Sequence, residues 1–354
     1  MSKRRVLVTF DSMKDTNCGY FSFGKGLGDA LLKANHGKFD IQLYLFPVTD
    51  HFDGRVSIVR RNRLHDLYFS GHNKYDLVHL TDQRTRLHPT RLKAKKIMTI
   101  HDINKVHINK SKPHRIQAFL NNLRKKVIAC DRVVAISQFV ADDVIKYIPE
   151  AREKMSVIYN GADRLTVPAG HQPAYKPAKP FLFTIGLLSP QKGFHFIPPL
   201  LQGNDYELVI AGIETPHKQT ILETAEKFGV ADRVTITGPV SEADKAWYYQ
   251  NCSAFIFPSR AEGFGLPVIE AMHFGKPVFL ARYTSLPEVG GDAAYYFDNF
   301  EPDHMQQVFN KGMLDYTANN RTDSIIANAN KFTWENAAKQ YLEMYEGLLS
   351  EPGR

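Results

Sequence analysis

Short apolar runs alternate with amphipathic stretches along the first half of the chain. The first run, RRVLVTFD, is rich in β-branched residues, as expected of a buried parallel strand, and the helical pattern LGDALLKANH follows it. The same alternation continues through YDLVHL, KKIMTIHD, HRIQAFLNNLRKKVIA and DRVVAIS. This pattern predicts an α/β fold in which a doubly wound sheet of parallel strands carries helices on both faces.

The alternation is interrupted once and then resumes. The segment RLTVPAGHQPAYKPAKP contains four prolines and has no periodicity, which is typical of a linker. PFLFTIG, YELVIAG, RVTITG and AFIFPS follow as further strands, and the chain ends in the helical stretch FTWENAAKQYLEMYEGLLS. We therefore predict two Rossmann-like domains, at residues 1–164 and 181–331, joined by a linker at residues 165–180.

Length and cysteine content agree with a two-domain protein of a reducing compartment. The 354 residues suit two domains of roughly 150–200 residues each. Three cysteines, odd in number and widely spaced, argue against a disulfide framework or a zinc site. The N-terminal apolar run is shorter than the roughly 7–15 residues of a signal peptide, and no stretch approaches the roughly 18–20 apolar residues of a membrane span. We expect a cytoplasmic protein.

Positive charge is concentrated in one part of the chain. Between Arg55 and Lys126 there are 18 Lys and Arg against four Asp, whereas the whole chain has 45 Lys and Arg against 37 Asp and Glu. This stretch is either a solvated basic face or a surface for an anionic partner. Because its basic residues are not interleaved with stacking aromatic residues, we expect a phosphorylated acceptor or the inner face of the cytoplasmic membrane rather than nucleic acid.

Polar and glycine-rich loops follow the strands of the second domain, where ligands of open parallel sheets bind. Gly186 and Lys192 follow PFLFTIG, and the loop RAEGFGLP follows AFIFPS. Pro267 suits the first turn of a helix, and Gly275 suits the position after its end. The amide groups of residues 263–266, at the N-terminus of that helix, form a candidate phosphate seat that Lys192 would complete.

Two glutamates bracket this loop. Glu262 lies at the end of a strand, and Glu270 lies one turn into an apolar helix, where a lone carboxylate is costly unless it is hydrogen-bonded. The partner of Glu270 is therefore either internal or a ligand. Two acceptors beside a phosphate seat suit a hydroxyl-rich ligand, such as a ribose and a sugar joined by a diphosphate. The alternative is that the glycines only permit a tight turn and that Lys192 is solvated.

The segment EGFGLPVIE resembles the E-x7-E motif of the retaining glycosyltransferases of family 4, which have the GT-B fold. FTIGLLSPQKG resembles the phosphate-binding strand and loop of that family, YNGAD resembles the end of its N-terminal domain, and SLPEVGGDAAYYFD is similar to its bacterial mannosyltransferase-like branch. The match covers nearly all of Phe181–Asp298 and is patchier before it. It implies two domains that face each other across a cleft, with residues 332–354 packing back on an acceptor-binding N-terminal domain.

The resemblance also implies a role for each matching residue. Glu262 would bind hydroxyl groups of the donor sugar and orient its anomeric carbon. Glu270 would bind the ribose hydroxyl groups, and Lys192 would hold the donor diphosphate. The expected donor-binding residues are Gly186, Lys192, Glu262, Gly263, Phe264, Gly265, Leu266 and Glu270, and the expected catalytic residues are His101, Lys192 and Glu262.

In the first domain the resemblance points to His101 and to one loop. His101, which follows a strand in TIHDIN, would orient the donor sugar, and the loop at Gly19 and Tyr20 would face the phosphates and the acceptor. Two positions depart from the family pattern. Leu187 stands where an arginine is usual, and Cys18 precedes Gly19 where two adjacent glycines are usual.

The implied function is transfer of a hexose with retention of configuration at the anomeric carbon. GDP-mannose is the favoured donor, with UDP-hexoses next, and the acceptor is a glycan, lipid-linked or phosphorylated molecule of bacterial surface polysaccharide or lipopolysaccharide synthesis. Same-face attack is favoured over double displacement, because the role of each glutamate leaves neither free beneath the anomeric carbon.

No Asp-x-Asp pair occurs, so we expect neither a metal nor a cofactor beyond the donor. The alternatives are a soluble transferase for a disaccharide or storage sugar, a phosphorylase, and an inactive GT-B scaffold subunit.

Overall fold

The computed structural model describes residues 3–14, 18–107 and 112–351. The chain forms two compact units, one of Met1–Gly161 with Thr333–Arg354 and one of Ala162–Phe332. Each unit is built around one sheet of parallel strands with helices between them. The α/β architecture of two Rossmann-like units is thus confirmed.

The first unit has a seven-stranded sheet in the order β3-β2-β1-β4-β5-β6-β7. Its interior strands are largely apolar and mostly buried, as is typical of parallel strands covered on both faces. Its elements before the second unit are β1 (Arg5–Phe10), α1 (Gly19–Ala34), β2 (Asp40–Leu45), β3 (Ser57–Arg60), β4 (Leu77–Leu80), β5 (Lys95–Ile100), α2 (Pro113–Ala129), β6 (Arg132–Ala135), α3 (Gln138–Tyr147) and β7 (Met155–Val157).

The second unit has a six-stranded sheet in the order β10-β9-β8-β11-β12-β13. The order reverses beside β8, so that β8 and β11 are adjacent and their carboxyl ends form a topological switch point, the usual ligand position in such sheets. Its elements are β8 (Phe181–Ile185), β9 (Glu207–Ala211), α4 (Lys218–Lys227), β10 (Val234–Gly238), α5 (Glu242–Asn251), β11 (Ala254–Phe257), α6 (Leu266–His273), β12 (Val278–Ala281), α7 (Leu286–Gly290), β13 (Tyr295–Phe297), α8 (Pro302–Ala318) and α9 (Thr322–Ala329).

The C-terminal helix α10 (Trp334–Ser350) packs on the first unit, as predicted. Gly26 of α1 permits this contact, because a Cβ at that position would lie 2.2 Å from the Trp334 ring. Two tyrosines of α10 reach the first sheet: the Tyr345 hydroxyl is 2.7 Å from Nδ1 of His79, and the Tyr341 hydroxyl is 2.9 Å from the Thr99 hydroxyl. Helix α10 therefore contacts the core of the first unit through polar groups as well as through packing.

His79 makes the stability of this core sensitive to acid. Complete burial lowers the pKa of its imidazole from 6.5 to about 3, so the folded protein keeps it neutral while the unfolded chain takes up a proton below pH 6.5. Its contribution to stability is thus complete above pH 6.5 and is lost as the pH falls, by about 1.4 kcal/mol per pH unit. We expect the Tm to fall more steeply between pH 7 and 5 in the wild type than in His79→Gln, measured by circular dichroism. Equal slopes would contradict this assignment.

The proline-rich segment predicted as a linker lies within the second unit and is held to it. The Tyr175 hydroxyl donates to the carboxylate of Glu207 at 2.8 Å, and the main-chain amides of Ala178 and Lys179 donate to the same carboxylate at 2.9 and 2.8 Å. His171 contacts Asp244 at 2.7 Å. The segment, residues 165–180, therefore lies against the start of the second sheet and is held there; we call it the strap.

The three cysteines are free thiols, and burial raises the pKa of Cys130 and of Cys252 to about 12. Among the described residues, no helix has both the length and the apolar character needed to cross a membrane.

Candidate functional site

Two of the predicted catalytic residues meet at the switch point of the second sheet. Lys192 follows β8 and Glu262 follows β11, and the Lys192 ammonium donates to Oε1 of Glu262 at 2.6 Å. The two side chains are 22% and 13% exposed, so the pair is mostly shielded from solvent but still accessible. The ammonium also lies 5.0 Å from the centre of the Phe257 ring. A cation and a carboxylate are thus held side by side where a ligand can reach both.

Glycine allows the two loops to approach each other this closely. Gly193 has a φ of 70°, and a Cβ there would lie 2.3 Å from the carbonyl oxygen of Pro258. The main-chain amide of Arg260 donates to the carbonyl oxygen of Gln191 at 2.8 Å. The loop that carries Lys192 is therefore joined through its backbone to the loop that carries Glu262. Gly186, which precedes both, has a φ of 151°.

The loop after Glu262 leads directly into helix α6. Gly265 occupies the N-cap with a φ of 122°, Leu266 begins the helix and Pro267 lies in its first turn. Gly275 follows the helix with a φ of 67°. The predicted positions of this proline and this terminal glycine are confirmed. The N-terminus of α6 thus lies directly after the carboxylate of the Lys192–Glu262 pair in sequence.

Two hydroxyl side chains after β12, which the sequence analysis did not identify, fix this loop. The Thr284 hydroxyl accepts from the main-chain amide of Glu262 at 3.1 Å, and the Ser285 hydroxyl donates to the carbonyl oxygen of Phe264 at 2.8 Å. Thr284 has a φ of 54°, which is rare for a β-branched residue and costs free energy. Such strain is concentrated at functional sites. The available signal was the pair of hydroxyl residues in the loop that follows the strand VFLA.

Glu270 has internal partners. Its carboxylate accepts from the Tyr249 hydroxyl at 2.9 Å and from the Lys245 ammonium at 3.2 Å. Lys245 and Tyr249 are four residues apart on α5 and therefore lie on one face of that helix. Burial raises the pKa of Glu270, an effect that the Lys245 charge opposes. The structure thus explains how the carboxylate is tolerated in an apolar helix, and its role toward a ribose stays a prediction.

His101 directly follows β5 at the carboxyl edge of the first sheet. Its Nε2–H donates to the carbonyl oxygen of Thr81 at 2.8 Å, and its main-chain amide donates to the side chain of Gln83 at 3.1 Å. Burial lowers the pKa of the imidazole, so the ring is neutral at pH 7. Its centre lies 4.9 Å from that of Tyr20 and 4.4 Å from that of Phe23. These hydrogen bonds and ring contacts therefore fix the orientation of the imidazole ring.

Gly19 and Tyr20 were predicted to lie in a loop. The structure instead places them at the start of helix α1. Cys18 is extended, and its carbonyl oxygen accepts from the main-chain amide of Phe21 at 2.9 Å, so the helix begins well before the predicted helical pattern LGDALLKANH. The preceding residues 15–17 lie outside the described part of the chain.

An arginine missed by the sequence analysis covers Tyr20. The Arg84 guanidinium lies 3.8 Å from the centre of the Tyr20 ring, and buried Asp82 holds it through Nε at 3.3 Å. Asp82 also accepts from the Arg84 main-chain amide at 2.7 Å and from the Ser12 hydroxyl. Because Asp82 follows β4, it lies at the same edge of the sheet as His101.

Comparison with known proteins identifies the class. The model of the group 1 glycosyl transferases matches residues 171–332, and the model of glycosyltransferase family 4 matches residues 34–164. Together they cover most of the chain, and each match falls on one parallel-sheet unit. The chain belongs to the family 4 glycosyltransferases, which have the GT-B fold. The resemblance inferred from E-x7-E is confirmed.

Individual relatives are more distant. The serotype-specific mannosyltransferase WbdA of Escherichia coli is 29% identical over 258 residues, which are 67% of this chain and 31% of WbdA. The chain thus spans about a third of that relative. The O-antigen chain mannosyltransferase B of Escherichia coli is 24% identical over 270 residues, 71% of this chain and 70% of that protein. The solved structure of Anabaena HepE in complex with UDP and glucose superposes with a TM-score of 0.72 at 18% identity, covering 97% and 100% of the two chains.

Proposed function

We propose that the protein transfers mannose from GDP-mannose to a glycan or glycolipid acceptor of a bacterial surface polysaccharide, with retention at the anomeric carbon. The observation that carries the proposal is the Lys192–Glu262 pair at the switch point of the second sheet, 2.6 Å between charged atoms. A ligand with a negative diphosphate beside a hydroxyl-rich sugar complements these two charges. A nucleoside-diphosphate sugar has this combination.

Lys192 stabilises the departing nucleoside diphosphate in this scheme. Negative charge accumulates on the phosphate oxygens as the glycosidic bond breaks, so a fixed cation lowers the barrier more than it strengthens ground-state binding. The amides of Gly265 and Leu266 at the start of α6 add their partial positive charge to the same group. Leu187, which stands where the family usually has an arginine, leaves Lys192 as the cation that follows β8 in this loop.

Glu262 and Glu270 hold the two sugars of the donor. Glu262, released from Lys192 when the diphosphate takes its place, accepts hydrogen bonds from hydroxyl groups of the hexose and so orients the anomeric carbon. Glu270 accepts from the ribose hydroxyl groups, and the Lys245 charge opposes the rise in the pKa of its carboxyl that burial causes. His101 contributes a neutral ring that contacts a sugar rather than exchanging a proton, because burial lowers its pKa.

The acceptor attacks from the face that the diphosphate leaves, and the leaving phosphate takes the acceptor proton. Both glutamates are committed to hydroxyl groups, so no carboxylate is assigned to a covalent sugar intermediate. No metal takes part in this scheme. Mannose is favoured because both relatives compared above are named mannosyltransferases. In this proposal the reaction takes place in the cytoplasm, where nucleotide sugars are made.

A transfer assay tests the proposal. The purified protein is incubated, with and without EDTA, with GDP-mannose, UDP-glucose or UDP-galactose and with fluorescently tagged mannosides as acceptors. We expect GDP-mannose to be consumed in preference and the new bond to be α by NMR, because GDP-mannose is an α-linked donor. A β-linked product would contradict retention, loss of turnover in EDTA would contradict metal independence, and consumption of a UDP-hexose alone would contradict the donor.

A further inference from the structure

Three large apolar side chains project from one short segment of the first unit. Leu64, Leu67 and Tyr68 are 69%, 74% and 63% exposed, and they lie on and directly after the 3₁₀ helix Arg63–Asp66. Single exposed apolar residues are common, but three within five positions form a ridge that is costly in water. We call these three residues the apolar ridge.

Basic side chains flank the apolar ridge. Arg63 is exposed beside Leu64, and Nη1 of Arg91 donates to the carbonyl oxygens of Asp66 and Leu67 at 2.7 and 2.8 Å. Arg91 therefore lies against the backbone that carries the ridge, and its charge is held at a fixed place.

The same arginine connects the ridge to a cavity. A cavity of about 500 Å³ between the segment at Arg91 and the C-terminal half of α2 is lined by Arg91, Lys125 and Ile128 among others. Ile128 is itself exposed. Arg91 thus adjoins both the backbone of the ridge and the cavity, and within the cavity Arg91 and Lys125 are two cations that face a common space.

Acidic groups near this surface do not cancel its charge. Asp66, the acidic residue of the 3₁₀ helix, is paired with Arg61 at 3.2 Å. Glu150, which lies near the end of α2, is paired with Arg124. The segment between Arg55 and Lys126, which contains the apolar ridge, Arg91 and Lys125, has 18 Lys and Arg against four Asp.

We propose that the apolar ridge and the adjoining Arg91–Lys125 cavity bind an anionic lipid bilayer. A soluble anion would account for the cations but not for the ridge, and an apolar partner would account for the ridge but not for the cations. An anionic bilayer places phosphate groups and acyl chains within a few ångströms of each other. The basic groups lie at the phosphate level, and the three apolar side chains enter the boundary of the acyl chains.

This inference goes beyond the proposed function and does not depend on it, because membrane binding is measured without donor or acceptor. Flotation with vesicles of phosphatidylcholine, alone or with 30% phosphatidylglycerol, tests it. We expect the wild type to float with the anionic vesicles and not with the neutral ones. Each basic residue near an anionic surface contributes about 1 kcal/mol, so Arg63→Gln with Lys125→Gln should weaken partitioning by about 30-fold.

The ridge variant Leu64→Ser, Leu67→Ser, Tyr68→Ser should weaken partitioning at least tenfold. Matched controls use equally exposed positions elsewhere: Val48→Ser with Leu314→Ser for the apolar change, and Lys33→Gln with Lys311→Gln for the charge change. Both controls should float like the wild type. Equal flotation of the ridge variant and the wild type would overturn the proposal, as would no flotation of the wild type with anionic vesicles.

Insertion of the apolar ridge into the bilayer can also be detected directly, by quenching of tryptophan fluorescence. Tryptophan at position 68, in Tyr68→Trp, should be quenched by lipids brominated on the acyl chain when anionic vesicles are added, whereas tryptophan at position 48, in Val48→Trp, should not. Sedimentation of the wild type tests whether a second copy of the chain, rather than a bilayer, covers this surface. A dimer that the ridge variant dissociates would assign the ridge to a second copy of the chain and overturn the bilayer proposal.

Discussion

Lys192→Ala should lower kcat for sugar transfer by about 10²–10³-fold, the loss typical when one fixed donor to a developing negative charge is removed. The variant removes the cation 2.6 Å from Glu262 and leaves that carboxylate, which is 13% exposed, without its partner. The remaining negative charge then opposes the donor diphosphate instead of balancing a cation. Initial rates with saturating donor, measured by release of nucleoside diphosphate, give the effect.

The control for this prediction is an exposed lysine of the same unit. Lys227 lies at the end of α4, and Lys227→Ala should leave kcat within about twofold of the wild type. Circular dichroism confirms that both variants are folded. If Lys192→Ala kept a near-normal rate, the assignment of the donor site to the end of β8 would be wrong.

Lys245→Met should destabilise the second unit by about 3–5 kcal/mol, because it leaves the buried carboxylate of Glu270 without its cation. At roughly 2–4 °C per kcal/mol for a unit of this size, the Tm should fall by about 6–20 °C. The matched control is Lys218→Met at the start of α4, which removes an exposed ion pair with Glu214 and should cost about 0.5 kcal/mol or less. Thermal unfolding followed by circular dichroism measures both.

Two further observations separate the charge from the packing. Met at both positions, in Lys245→Met with Glu270→Met, removes the buried charge altogether, so its Tm should lie above that of Lys245→Met alone. Acid should also reduce the loss. The pKa of Glu270 is already raised by burial, and without Lys245 the carboxyl takes up a proton more readily as the pH falls. A loss that is the same at pH 5 and pH 8 would show that packing, not charge, is responsible.

The sequence specified the fold well because its strongest signals are local. Each parallel strand is a short apolar run bounded by a turn, and Pro267 and Gly275 mark the two ends of α6 through their own backbone preferences. The same reasoning brought Lys192 and Glu262 together, because each directly follows a strand and the carboxyl ends of parallel strands meet at one edge.

What the sequence could not specify depends on distant contacts. The partners of Glu270 come from α5, and nothing in their spacing says which helix they face. The unusual backbone of Thr284 contradicts the preference of a β-branched residue, so local reasoning points away from it. The strap of residues 165–180 has the composition of a linker, but its hydrogen bonds to Glu207 hold it on the second unit.

The most direct test of the central claim, a nucleoside-diphosphate-sugar site built on Lys192, is a thermal shift of the wild type and of Lys192→Ala against GDP, UDP, GDP-mannose and UDP-hexoses, without metal. A ligand at 100 times its Kd adds about 2.7 kcal/mol of stability, enough to raise the Tm by several degrees. We expect one base to stabilise the wild type selectively and Lys192→Ala to lose most of that shift. No stabilisation by any of these nucleotides, or an equal shift in both proteins, would contradict the claim.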